Sequence, residues 1–355
     1  MFKQLDLYLI KAIVASTLVV LLSLLSLDFL IRLIADVDHL GEKQFTLTTL
    51  LLTSFLFVPV KLMQFFPVSL IVGSLLGLGK LQSSSELIVA QTSGVSKFRI
   101  SIIGVVVSFL LGGAVFLITE YSGYSWQKKA VQMRAGALGR VVKNAGNTGA
   151  WLLNDRDFVY VGGVKKTGEI KKVRIYRYTP QMILKEIISA KTAVTKENSW
   201  NLQNVTVKSD FLTEVKVRHH KVLPWKNHID VQLVRLLVSD PDDLLTRELW
   251  EYIQYQQSNH IAPANYLLIF WQRLLMPLSS AVMFLLALPF VFSTHRSKGQ
   301  GRRLFIGLLL GLAYYVCSSS ISNLVLLTGI PVILGASLPP VIFAGIALSL
   351  LWVKK

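Results

Sequence analysis

Ile100-Ser-Ile-Ile-Gly-Val-Val-Val-Ser-Phe-Leu-Leu-Gly-Gly-Ala-Val-Phe-Leu-Ile118 carries no charged side chain. An α-helix rises about 1.5 Å per residue, so about 20 apolar residues cross a bilayer core of about 30 Å, and this stretch has that length. Two further stretches of the same kind precede it, at residues 8–35 and 48–78. After a polar, lysine-rich block of about 140 residues, three more follow at 266–292, 304–327 and 331–353. The pattern predicts an α-helical integral membrane protein with six transmembrane helices and a water-exposed domain inserted between the third and fourth. Only Thr328-Gly-Ile330 joins the last two stretches, which therefore form a tight hairpin.

Lys and Arg in short loops resist translocation and so report orientation. Lys3 and Lys11 flank the first span, Lys80, Lys97 and Arg99 lie between the second and third, and His295-Arg-Ser-Lys-Gly-Gln-Gly-Arg-Arg303 joins the fourth to the fifth. With Lys354 and Lys355 at the end of the sequence, all of these fall on one side, which places both termini in the cytoplasm and the middle block outside it. The first apolar run exceeds the h-region of a signal peptide, and no small-x-small cleavage pattern follows, so it is read as a retained span. Cys317, the single cysteine, leaves no internal disulfide to form.

Within the block the period changes from helical to strand-like. Asp157-Phe-Val-Tyr-Val-Gly-Gly163 reads as a short strand, and Lys172-Val-Arg-Ile-Tyr-Arg-Tyr178 alternates basic with apolar or aromatic residues. Further strands are expected at 184–193, 199–207 and 214–222. Antiparallel strands at this spacing suit a sandwich, barrel or jelly roll, and periodicity does not choose among them. Ser239-Asp-Pro-Asp-Asp243 precedes an amphipathic stretch at 244–256 and reads as a helix start leading back to the membrane. The resulting division is 1–120, with a cytoplasmic helix near 84–93, then 121–262, then 263–355.

Sites for chemistry are sparse. Gly73-Ser-Leu-Leu-Gly-Leu-Gly-Lys80 lacks the Ser or Thr of a phosphate loop, Leu81 standing there, and its glycines suit close helix packing. His219 and His220 would face opposite sides of a strand, so no metal site is expected. No cofactor motif is present, and the serines Ser318 to Ser320 have no base nearby, which argues against a hydrolase. The net charge of +17 lies largely in membrane-flanking loops and the exported block, which favours anionic lipid over nucleic acid.

Charges inside or beside spans are more informative, because each costs about 2.5–3.5 kcal/mol at a helix centre on insertion scales. Arg32 stands near the outer end of the first span, Lys61 between Pro59 and Pro67 in the second, and Arg273 in the outer part of the fourth. Lys128, Lys129 and Arg134 follow the third. Together they are read as a basic rim above an apolar cavity, suited to an amphiphile with phosphates and acyl chains. Snorkelling and ordinary ion pairing are the competing reading. On the cytoplasmic side, Ser83 with Glu86 has the spacing of a capping box, residues 87–91 suit a short helix, and Gly94 is a natural stop.

Several of these segments resemble the lipopolysaccharide export permeases LptF and LptG. They are Gly77-Leu-Gly-Lys-Leu81, Ser85-Glu-Leu-Ile-Val-Ala-Gln-Thr-Ser-Gly94, Asp240-Pro-Asp-Asp243, Trp271-Gln-Arg-Leu-Leu-Met-Pro-Leu-Ser279 and Thr328-Gly-Ile-Pro-Val-Ile-Leu-Gly335. The Ser-Glu-Leu form with Gln91 and Gly94 looks more like the G-type subunit. The resemblance implies six spans, a periplasmic β-jellyroll and an inner-membrane subunit of an ABC transporter. It also implies an LptF-like homologous permease, an LptB-like ATPase dimer and an LptC-like single-span protein as partners, with lipopolysaccharide as cargo and no ATP site in this chain. On the same basis Ser85, Glu86, Leu87, Val89, Gln91 and Gly94 belong to the helix that couples to the ATPase. Arg32 and Arg134 match lipid-contacting positions, while Lys61 stands one residue beyond the family's lysine because Val60 intervenes. The rival reading is an integral-membrane scaffold that docks envelope proteins without transport.

Overall fold

Residues 2–36 contain neither glycine nor proline, and they form one unbroken helix, α1 (Phe2–Asp36). Leu9, Ile13, Thr17, Leu21 and Leu25 recur at every fourth position and are buried, whereas Leu18, Leu22 and Ile34 are exposed, as a span with one packed face and one lipid face requires. The structure is a computed structural model that describes residues 2–139, 150–154, 157–164, 169–181, 183–196, 199–209, 215–226, 241, 244–259, 261–292 and 300–353. The chain divides into two units, Met1–Arg140 with Ala264–Lys355, and Val141–Pro263.

In the helical unit the expected second span is in fact two helices. α2 (Leu47–Leu56) is short, and α3 (Val58–Ser83) is the element long enough to cross a membrane. Phe57 separates them and Pro59 sits in the first turn of α3, where the missing N–H costs nothing because no helical acceptor exists for it. α3 lies against α1 through glycines: a Cβ on Gly73 would stand 2.5 Å from Thr17 Cα, and one on Gly77 would stand 2.7 Å from the Ala12 carbonyl oxygen. Small residues at this contact let the two backbones approach.

Next come α4 (Glu86–Thr92) and α5 (Lys97–Ile118). The chain does not leave the helix at the end of the third apolar stretch. A π-helical turn over Thr119–Gly123 carries it into α6 (Tyr124–Ala137), so Lys128, Lys129 and Arg134 ride on a helix rather than on the first part of a β domain. Thr119 Oγ1 donates to the Pro59 carbonyl at 3.1 Å and ties this turn to α3.

The second unit holds the inserted all-β domain. β1 (Ala150–Asn154), β2 (Asp157–Val164), β3 (Ile170–Tyr178), β4 (Leu184–Lys196), β5 (Ser199–Ser209) and β6 (Lys216–Lys226) form one antiparallel sheet in sequence order. β1 is absent from the sequence-based expectation, because Ala150-Trp-Leu-Leu-Asn154 does not alternate. In β3 two successive lysines, Lys171 and Lys172, are exposed, and Lys172 has φ +52°, a local kink that interrupts the alternation without shifting the register against β2 or β4, after which Val173 and Ile175 are buried. Asp157, Arg177 and Glu186 face one another across β2, β3 and β4, with Arg177 donating to both Asp157 oxygens at 3.1 Å and to Glu186 at 3.3 Å. The paired carboxylates hold the Arg177 guanidinium above its usual pKa, Asp157 foremost. Trp200 and Trp225 meet edge to face at 5.4 Å in the sheet's apolar cluster.

α7 (Thr246–Ser258) follows, with Leu249, Tyr252 and Ile253 buried. Its first turn is capped by Glu248, which accepts from the Leu245 N–H at 2.9 Å. The proposed acidic start at Asp240, Asp242 and Asp243 lies outside the described residues, as do Lys354 and Lys355 and positions 293–299 of the basic loop. The fourth apolar stretch is bent: α8 (Ala264–Leu274) and α9 (Met276–Val291) meet at 55° about Leu275, with Pro277 in the first turn of α9. α10 (Gln300–Thr328) and α11 (Val332–Val353) complete the unit as the expected hairpin, turned at Gly329 with φ +70°.

Candidate functional site: a basic rim and a short surface helix

Two separate groups of side chains stand out in the helical unit, one at each end of α1. At its C-terminal end Asp28 and Arg32 occupy successive turns, and Arg32 Nε donates to Asp28 Oδ2 at 2.7 Å. The guanidinium also lies over the Phe57 ring, 4.5 Å from its centroid, at the junction of α2 and α3. Stacking on an aromatic face and pairing with a carboxylate fix the plane of the guanidinium. Lys61, on the first turns of α3, donates to Gln64 Oε1 at 2.6 Å and lies within electrostatic range of both Arg32 and Asp28. One turn beyond Arg32, Asp36 accepts from Arg134 Nη2 at 2.5 Å, which joins α6 to the end of α1.

Arg273 has a different setting from the one expected. It is buried in α8, its guanidinium 4.2 Å from the centroid of the Tyr124 ring, rather than open on a rim. Tyr124 in turn donates to Met63 Sδ at 3.8 Å, so one aromatic ring links α8, α6 and α3. Lys128 is half-buried and Lys129 exposed on α6. The structure thus brings Arg32 and Lys61 together, anchors Arg134 beside them through α1, and sets Arg273 deeper behind Tyr124. Sequence reasoning missed the partners Asp28, Asp36, Phe57 and Tyr124. The spacing of Asp28 and Arg32 is a legible helical ion pair, but nothing local announces a contact between Asp36 and Arg134.

At the N-terminal end of α1 the short helix α4 begins after Ser85, which has φ +65°. The expected capping box is not formed: Ser83 Oγ donates back to the Lys80 carbonyl at 2.8 Å. Glu86 is engaged elsewhere. It accepts from Ser84 Oγ at 2.8 Å and from the Tyr8 hydroxyl at 2.6 Å, and these hydrogen bonds, Tyr8 first, hold its carboxyl below the usual range. Leu87 and Ala90 are buried, Val89 is exposed and Gln91 is half-buried, so α4 presents one face outward. Gly94, at φ +96°, ends the segment, and the Val95 N–H closes it on the Ala90 carbonyl at 3.1 Å. Nearby, Arg99 pairs with Asp6 at 2.7 Å, and Arg303 of α10 donates to the Gly79 carbonyl. Among the described residues, no group of three or more His, Cys, Asp or Glu side chains is placed to hold a metal ion.

The sequence profile of the lipopolysaccharide export system permease LptF/LptG family matches residues 7–353. The lipopolysaccharide export system permease protein LptG of Escherichia coli K12 is 30% identical over 358 residues, covering 100% of this chain and 99% of that protein. LptG of Haemophilus influenzae Rd is 27% identical over 345 residues, covering 97% of this chain and 96% of that protein.

Proposed function

Because this chain belongs to the lipopolysaccharide export system permease LptF/LptG family, we propose that it is the G-type permease subunit of an ABC transporter. Its cargo is lipopolysaccharide, taken from the outer leaflet of the inner membrane and driven to a periplasmic bridge toward the outer membrane. An LptF-like homologue completes the permease, an LptB-like ATPase dimer hydrolyses ATP on the cytoplasmic side, and an LptC-like single-span protein associates with them. Both termini are cytoplasmic and the β domain is periplasmic. The observation that carries this reading is a match running the length of a chain that is itself a multi-pass membrane protein.

Each end of α1 has a part in this reading. Arg32, Lys61 and Arg134 recruit lipid phosphates, since guanidinium and ammonium donors bind phosphate oxygens strongly in a site partly shielded from water. Asp28 and Asp36 hold the two guanidinium groups in place before the lipid arrives. Lys128 and Lys129 on α6 extend the same positive surface, and Arg273 supports it from behind through Tyr124. Apolar helix faces take the acyl chains. Ser85, Glu86, Leu87, Val89, Gln91 and Gly94 form the segment that meets the ATPase, whose motion collapses the cavity.

The test is Arg32→Glu combined with Arg134→Glu in the assembly purified from its native membrane. Lipopolysaccharide recovered with the assembly should fall by about tenfold or more, as hydrogen bonds between charged groups are worth about 1.5–3 kcal/mol each, while its partner subunits stay bound. Normal lipid recovery would remove the basic rim from the mechanism. Recovery of envelope proteins with no ATPase from the unsubstituted assembly would favour the scaffold instead.

A further inference from the structure

α4 is seven residues long, and a helix of that length is not stable on its own in water. Its N-cap, Ser85, has left-handed backbone angles and makes no side-chain cap, so its start is held by something else. Leu87 is buried beneath it, yet a cavity of about 490 Å³, lined by Leu5, Leu9, Leu81, Leu87 and Val95, opens between α4 and the first turns of α1. Tyr8 and Glu86 also line that cavity, and the Tyr8 hydroxyl donates to Glu86, 78 positions away in sequence. Tyr8 lies on α1, which continues without a break to Asp28, Arg32 and Asp36.

We propose that Tyr8 is a positioning residue for coupling: its hydroxyl holds Glu86, and thereby α4, to α1, so that movement imposed on α4 is passed along α1 to the basic rim. The space under α4 gives it room to rock, and the hydrogen bond converts rocking into a pull on α1 instead of slack. Asp6, paired with Arg99 at the start of α5, anchors the same turns of α1 to a second helix. The inference rests on the transporter reading, because it assigns Tyr8 a role in transmitting the ATPase's motion.

The experiment uses the full assembly in proteoliposomes loaded with lipopolysaccharide, and reads lipid released per ATP hydrolysed for the parent, Tyr8→Phe, Glu86→Ala and the double variant. Tyr8→Phe keeps the ring and removes only the hydroxyl. It should lower the lipid-to-ATP ratio by about threefold to tenfold, the scale of a typical intramolecular hydrogen bond between solvent-accessible groups. In the Glu86→Ala background it should cause no further loss, because residues acting through one contact are not additive. An unchanged ratio in Tyr8→Phe, or a further loss in the double variant, would overturn the role of Tyr8 while leaving the transporter reading intact. A parent assembly that released no lipid with ATP would overturn both.

Discussion

α1 and the α8–α9 pair both come from apolar stretches long enough to span a membrane, yet one is a single rod of 35 residues and the other is broken by 55°. Mean hydropathy does not separate them. α1 has neither glycine nor proline, whereas Pro277 stands in the first turn of α9, just past the Leu275 break; Pro67 in α3 and Pro339 and Pro340 in α11 lie inside unbroken helices, so proline permits a break and packing decides where one forms. Proline supplies no N–H to the turn before it and clashes with that turn's carbonyl. The same comparison holds between α1 and its packing partner, where Pro59 lies just beyond the Phe57 break between α2 and α3. A continuous helix transmits displacement from end to end, and a broken one absorbs it. The proposed coupling therefore belongs on α1, which carries Tyr8 at one end and Arg32 at the other.

The sharpest way to break this contrast is to make α1 resemble α8–α9. Leu22 is exposed on the lipid face of α1, so Leu22→Pro changes the backbone with little loss of packing. It should cost about 3 kcal/mol or more and abolish lipid release even in protein that still assembles, read by thermal unfolding in detergent beside the lipid-to-ATP ratio. Retained release would show that α1 need not be continuous. Gly73→Ala probes the seam that keeps α1 straight against α3. Its new Cβ meets the Thr17 backbone, and a fall in stability of about 1–3 kcal/mol is expected, with Gly113→Ala as the comparison because open space surrounds that position. Equal unfolding temperatures for the two would dismiss the close-packed seam. Least disruptive is Pro277→Ala, expected to shift stability by under about 1 kcal/mol while narrowing the bend, a change that distance measurements between spin labels on α8 and α9 would detect. An unaltered bend would move its cause from Pro277 to the surrounding packing.

Much of the architecture was legible because it follows from local transfer energies and local periods. The apolar stretches, the inserted strands from Asp157 onward, the hairpin at Gly329 and the stop at Gly94 all read directly. Resemblance to the G-type permeases, stated from segments such as Ser85-Glu-Leu-Ile-Val-Ala-Gln-Thr-Ser-Gly94, agrees with the LptG relatives. Boundaries read less well. β1 has no alternation to reveal it, and α6 continues past the third apolar stretch on polar residues that favour neither lipid nor strand. The serines before Glu86 suggested a cap, but the carboxylate found a better donor in Tyr8.

What the sequence determined by itself was the layering of this protein: which segments enter lipid, which block stays in water, and which residues carry charge at the boundaries. Burial of apolar side chains is a sum over near neighbours in the chain, so it can be read along one dimension. Only the tertiary structure decided which charges meet. Arg134 finds Asp36, Arg273 retreats behind Tyr124 and Glu86 is held by Tyr8, because each contact depends on how helices far apart in the chain pack together.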